Sequence, residues 1–246
     1  MIEIGSALDP GRKRIANTNQ DSLCVIRPTL FNRRPPLLVI ADGMGGYEGG
    51  AIASQLVVSS FAGVYQQADD TISPLQILQA GVAAALNELK QSAAQNSSLA
   101  RMGSTVVAAV IKGSSIYLIN VGDSRAYLVN EKAIRQISYD HSLVGEQLRQ
   151  GIITEAEVRS HPRRNVLSMS ISAQRENVTT FTDVFEWRQG DRLVLCSDGL
   201  WGPVTEAQIQ AAVMEFHPQQ AAERLVYLAN TNQGPDNISV IVARYN

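Results

Sequence analysis

The sequence predicts an α+β fold, a four-layered α-β-β-α sandwich in which two mainly antiparallel sheets are each covered by a pair of helices. Three observations lead there. Helical stretches arrive in two pairs, one in the first half of the chain and one near its end. Four strand-like runs, STVVAAVIKG, SSIYLINVGD, RAYLVNEK and AIRQIS, follow one another across short turns, and strands joined so tightly pair antiparallel because parallel neighbours need a longer crossover. The run PPLLVIADG is apolar throughout, as a strand buried on both faces must be. Two packed sheets with helices outside bury every one of these surfaces.

The elements follow in order. IEIGSAL opens as a strand, a polar and basic turn GRKRIANTNQD follows, and SLCVIRP makes a second strand. PPLLVIADG is the third, stopped by Asp-Gly. GGAIASQLVVSSFAGVYQQ has helical length and an apolar stripe. Ser73 before Pro74 caps a second helix, LQILQAGVAAALNELKQSA. The antiparallel meander comes next. From His141 to about Ser172 the chain turns charged and is interrupted by Gly151 and Pro162, as an excursion on the scaffold would be. It is expected to bury little and to be mobile. Strands return with VTTFTDVFEW and DRLVLCSDG. Thr205 and Gln208 form a capping box for a helix to Phe216, another helix starts near Pro218, and ISVIVARY closes the chain. One domain spanning 1–246 is expected.

Composition narrows the function. The chain has 246 residues, 45% hydrophobic and 18% charged, with a formal net charge of -2. No clustered positive face is visible, which argues against nucleic acid or an anionic membrane as the partner. The opening MIEIGSALDPGRKR lacks the apolar core of a signal peptide, and no stretch approaches the roughly 20 apolar residues of a membrane span. A cytoplasmic location is expected. Cys24 and Cys196 sit in apolar runs and read as reduced core residues. His141, His161 and His217 are too scattered for a zinc trio, so any metal should be held by oxygen.

Aspartates supply that oxygen. LLVIADG ends in Asp42, LVLCSDG brings Asp198, LINVGDSR brings Asp123, and QGPDNISVIV puts Asp236 just before a buried strand. Each alone is an ordinary turn signal. Four carboxylates at the ends of core strands can converge, and converging anions need a cation among them. Oxygen ligands select hard ions, Mg2+ or Mn2+. The loop GMGGYEGG after Asp42 also suggests a dinucleotide-binding turn, but Glu48 stands where the third glycine of that motif belongs, and an aspartate opening the loop would repel a pyrophosphate. A P-loop sequence is absent.

Five motifs now stand in order: NQD at Asn19–Asp21, DGMGG at Asp42–Gly46, GDSR at Gly122–Arg125, SDGL at Ser197–Leu200 and GPDN at Gly234–Asn237. In order and approximate spacing they resemble the metal-dependent protein phosphatases (the PPM, or protein phosphatase type 2C, family) in their bacterial single-domain form. DHSLV and ITEAEVRSHPRRNVL are similar to that family's flap, so the resemblance covers nearly the whole chain. It implies that Asp42 bridges two metals, that Gly43 offers its carbonyl to one, and that Asp198 and Asp236 complete the other. It also implies that Asp21 orients water from behind, and that Asp123 with Asp198 holds a third ion. Two Mn2+ or Mg2+ ions about 3.5–4 Å apart would activate a bridging water for in-line attack on phosphorus. The implied substrates are phosphoserine and phosphothreonine proteins, products of a serine/threonine kinase.

The sequence departs from the family at several places. Ala16 stands where the phosphate-binding arginine is usual; Arg14 is the nearest substitute and Arg12 the next. Met44 stands where eukaryotic members carry a histidine, Tyr47 replaces another frequent histidine, and LSMSISAQRE diverges after the flap. These departures leave open a weakly active or non-catalytic regulatory relative, and a phosphatase for small molecules. Arg149, Arg159, Arg163 and Arg164 of the flap are expected to face an anionic substrate.

Overall fold

The computed structural model describes residues 2–13, 19–29 and 34–246. The first sheet runs β1 (Ile2–Asp9), β12 (Ile238–Tyr245), β11 (Arg192–Cys196), β7 (Arg125–Val129) and β8 (Ile134–Gln136). The second runs β10 (Phe181–Glu186), β6 (Ser115–Val121), β5 (Val106–Lys112), β3 (Leu37–Met44), β4 (Gly103–Ser104) and β9 (Ile171–Ser172), with β2 (Asp21–Ile26) also paired to β3. The pairings are antiparallel.

Residue parity separates the layers. On β3, Leu37, Val39 and Ala41 face one cluster while Leu38 and Ile40 face another. The same alternation splits Val106, Ala108 and Val110 of β5 from Val107, Ala109 and Ile111. In the first sheet Val194 and Cys196 lie opposite Leu193 and Leu195. The shared cluster is the space between the sheets, because successive side chains of a strand point to opposite faces. Helices α1 (Tyr47–Gln67) and α2 (Pro74–Gln95) cover the second sheet through Val57, Phe61, Leu78 and Leu89. Helices α6 (Glu206–Glu215) and α7 (Pro218–Thr231) cover the first through Ile209, Val213 and Leu225. This is the four-layered sandwich that the apolar runs call for. The capping boxes form at Ser73 with Gln76 and at Thr205 with Gln208.

The excursion after β8 differs from its expected character. It contains two short helices, α3 (Leu143–Arg149) and α4 (Glu155–Ser160), capped by Ser142 and by the Thr154–Glu157 box. Val144 and Val158 are buried completely or nearly so, so the segment contributes apolar contacts of its own. Its start is clasped to the β6–β7 turn by His141, whose N–H donates to the Gly122 carbonyl at 2.8 Å while Nδ1 accepts the Gly122 N–H at 3.3 Å. Its end joins the second sheet through β9. Between β11 and α6, a four-residue helix, α5 (Asp198–Trp201), has no counterpart among the predicted elements.

Candidate metal centre

Four separate elements deliver carboxylates to one cleft of about 500 Å3, lined by Asp42, Gly43, Asp123, Asp198 and Asp236 among others. Asp42 comes from the end of β3, Asp123 from the β6–β7 turn, Asp198 from the first residue of α5, and Asp236 from the loop before β12. Antiparallel register places Asp21 directly beside Asp42 across the β2–β3 pair. Burying the strands therefore fixes where the carboxylates emerge.

Each is held by a local frame. Asp42 N–H donates to Thr105 Oγ1 (3.1 Å), and the Asp42 carbonyl accepts from Thr105 N–H (2.9 Å) and Ser104 Oγ (3.0 Å). Thr105 Oγ1 in turn meets Ser124 Oγ at 2.7 Å, next to Asp123. Asp21 Oδ2 accepts from Ser197 Oγ at 2.6 Å, which links it to the residue before Asp198. Asn237 accepts the Gln20 N–H at 2.8 Å and donates to the Pro10 carbonyl, tying the loop of Asp236 to the turn before Asp21. Gly43 has no room for a side chain: a Cβ would lie 1.9 Å from the Gly50 carbonyl oxygen. Thr105, Ser197, Gln20 and Asn237 were not singled out from sequence. The last three lie inside or beside the quoted motifs, whereas Thr105 carries no local signal.

The electrostatics are those of crowded anions. Burial, more than any partner, pushes the Asp21 carboxyl from 3.8 up to about 7; Ser197 and Ser239 counter this, and Asp198 and Asp236 add to it. Burial also raises Asp42 well above the carboxylate range, reinforced by Asp21, Asp198, Asp123 and Asp236. Asp123 is raised by burial and then by Asp198 and Asp140. These repulsions, and a donor set made of oxygen, suit divalent cations. Among the described residues no three histidine, cysteine or acidic side chains close around one point. The carboxylates line an open cleft instead, an arrangement that leaves coordination positions to backbone carbonyls and water, as Mg2+ and Mn2+ accept.

A consequence for stability follows without metal. Between pH 3.8 and about 7 folded Asp21 holds a proton that the unfolded chain has lost. Stability that is complete below 3.8 is thus lost as pH rises through 7, and Asp42 and Asp123 act in the same direction. In chelator the protein is expected to melt at a higher temperature at pH 5 than at pH 8. His141, whose pKa burial lowers, works against this trend, so a higher Tm at pH 8 would show that the upward shifts of the aspartates do not dominate the pH dependence of stability.

The segment between residues 141 and 172 reaches this cleft through Asn165, Leu167 and Ser170. Two of its four arginines have partners within the protein. Arg149 lies 3.4 Å over the Tyr139 ring and donates to the Asp140 carbonyl, and Arg159 donates to three main-chain carbonyls after Asp198. Arg164 lines a neighbouring cavity of about 190 Å3 beside Asp198 and Asp236, and Arg163 is exposed. Arg14 and Ala16 lie outside the described residues. Arg12 is exposed, and the next residue is bonded to the Gly234 carbonyl of the Asp236 loop.

Known proteins share this arrangement of sequence and fold. Residues 12–232 match the profile of the family described as Protein phosphatase 2C. A Listeria innocua protein named serine/threonine phosphatase stp is 33% identical over 240 residues, covering 96% of this chain and 93% of its own. The crystal structure of the Mycobacterium tuberculosis serine/threonine phosphatase PstP/Ppp superposes with a TM-score of 0.88 at 32% identity, covering 100% of this chain and 99% of that one. The catalytic domain of PstP in complex with two manganese ions superposes with a TM-score of 0.84 at 31% identity, covering 99% and 97%.

Proposed function

From a chain that belongs to the protein phosphatase 2C family and is a serine/threonine protein phosphatase, we propose that its aspartate cleft binds two Mn2+ or Mg2+ ions and there hydrolyses phosphoserine and phosphothreonine in proteins. The observation that carries this reading is the convergence of Asp42, Asp123, Asp198 and Asp236, from four elements, on one cleft.

Asp42, the Gly43 carbonyl, Asp198 and Asp236 would hold the two ions, and Asp123 with Asp198 a third. When bound, such ions bring the pKa of a coordinated water near neutrality and offset the charge of the phosphoryl group. The chain's own part is positional. Asp21, held by Ser197 and adjacent to Asp42 across the β2–β3 pair, would orient the attacking water. The cleft opens between the sandwich and the 141–172 segment, so that segment presents the phosphoprotein to the carboxylates. The presence of all four candidate metal aspartates and the phosphatase relatives favour catalysis over a binding module. No helix among the described residues is long and apolar enough to cross a membrane, and we place the activity on cytoplasmic proteins phosphorylated by a serine/threonine kinase.

The test is release of phosphate from a phosphothreonine peptide. Turnover is expected with Mn2+ and with Mg2+ and is expected to stop in chelator. Turnover that persists in chelator would overturn the metal reading.

Phosphate binding is assigned to Arg14. Arg14→Ala is expected to raise KM for the peptide more than it lowers kcat. A guanidinium on phosphate oxygens acts largely in the ground state, and such charged hydrogen bonds contribute about 1.5–3 kcal/mol. Steady-state kinetics would transfer the role to the neighbour if KM rose in Arg12→Ala instead.

A further inference from the structure

The 141–172 segment grips the sandwich at the helix that begins with Asp198. From the last turn of α4, Arg159 Nη1 donates to the carbonyls of Trp201, Gly202 (3.2 Å) and Val204 (3.0 Å). Trp201 is the last residue of α5, where a carbonyl lacks an intrahelical partner, and Gly202 and Val204 lie in the turn that follows it. A cation there holds the helix end, and because α5 is four residues long, that end is one turn from Asp198.

A second path reaches the same helix. Trp201 Nε1 donates to the Asp123 carbonyl at 2.9 Å. Its ring is covered by the Arg125 guanidinium at 3.7 Å, and Arg125 is bonded through Nε and Nη2 to Asp140, the residue before His141, at 2.7–3.1 Å. The beginning of the segment and its middle therefore both close on Trp201. Trp201 touches the backbone of Asp123 and lies on the helix of Asp198. Buried polar links of this kind have few alternative arrangements, so displacing one end displaces the other.

We propose that Arg159 is a positioning residue: by capping α5 it couples the seating of the 141–172 segment to the placement of Asp198 and Asp123, and so to the ion held by that pair. This deepens the metal-centre reading above and rests on it. The Arg159 guanidinium is engaged by main-chain carbonyls and acts through α5. It sets the geometry of the Asp198 and Asp123 pair.

The experiment titrates Mn2+ calorimetrically into the metal-free full-length chain for wild type, Arg159→Ala, Arg159→Lys, Trp201→Phe and Asp198→Asn. Removing groups that orient metal ligands typically costs about 10–100-fold in metal affinity, so Arg159→Ala is expected to weaken the loosest Mn2+ step by about that factor. Arg159→Lys, which keeps a cation at the carbonyls, is expected to restore most of it. Trp201→Phe removes the indole N–H but keeps a ring, and is expected to weaken the same step, which keeps the idea testable if Arg159→Ala does not fold. A purely structural role would lower the Tm of the metal-free chain and leave Mn2+ affinity unchanged; that result in both Arg159→Ala and Trp201→Phe overturns the coupling. Asp198→Asn separates the two levels. If it binds Mn2+ like wild type, the metal-centre reading fails; if it loses Mn2+ while both other variants keep it, only the coupling fails.

Discussion

Asp198→Asn is expected to leave a folded protein that no longer releases phosphate. The strand that delivers it is held by its own burial and pairing: β11 is buried along its whole length, and Ser197, just before Asp198, is bonded to Ser239 through both main chain and hydroxyl. Asparagine keeps the size and removes the charge. Turnover should fall by at least about 10²–10³-fold, the scale for losing one electrostatic stabiliser of a transition state, because in the proposed centre this ligand would serve more than one ion. The same change relieves repulsion in the metal-free state, since Asp198 contributes to the upward shifts of Asp21, Asp42 and Asp123. In chelator at pH 8 the variant should therefore melt no lower than wild type. Near wild-type activity at saturating Mn2+ would remove Asp198 from the metal centre.

Gly43→Ala is expected to damage fold and activity together. The obstacle is space, not backbone conformation. A Cβ would lie 1.9 Å from Gly50 O, 2.5 Å from Gly50 C and 2.8 Å from Gln20 O, all main-chain atoms that no rotamer change can move. The end of β3 or the start of α1 must shift. Overpacking costs about 1–3 kcal/mol and occasionally more, and each kcal/mol lowers Tm by about 2–4 °C in a chain of this size. A drop of several degrees is expected. Activity should fall further than stability alone explains, because Asp42 and the Gly43 carbonyl move with the strand. Gly49→Ala is the control: its Cβ would meet Met102 Cβ at an ordinary 3.6 Å. A Gly43→Ala protein with unchanged Tm and turnover would show that the close approach is not required.

Much of this architecture is legible in residue patterns because the sheets are buried on both faces. Uninterrupted runs such as LLVIA and LVLC can be satisfied only inside layers, and their parity assigns each residue to the inner or outer cluster. Ser73-Pro74 and Thr205-Gln208 mark helix starts by local hydrogen bonding, which needs no tertiary knowledge. What was missed depends on distant partners. The two-residue strands β4 and β9 exist because they pair with β3 and with each other. Helix α5 contains Gly199, a poor helix former, and is held by Arg159 from another element. Asp21 and Asp42 could be named from sequence, but their adjacency is a matter of strand register. From sequence, Arg149 and Arg159 belong with Arg163 and Arg164 to a set expected to face an anionic substrate. An aromatic ring and the main-chain carbonyls at and after the end of α5 also engage them.

The most direct measurement is anomalous diffraction at the manganese edge from crystals of the full chain soaked in Mn2+. Two anomalous peaks are expected in the cleft, bounded by Asp42, the Gly43 carbonyl, Asp198 and Asp236, with a third beside Asp123 and Asp198. Peaks elsewhere on the protein, or an empty cleft at a Mn2+ concentration that supports turnover, would contradict the assignment of these aspartates as the metal centre.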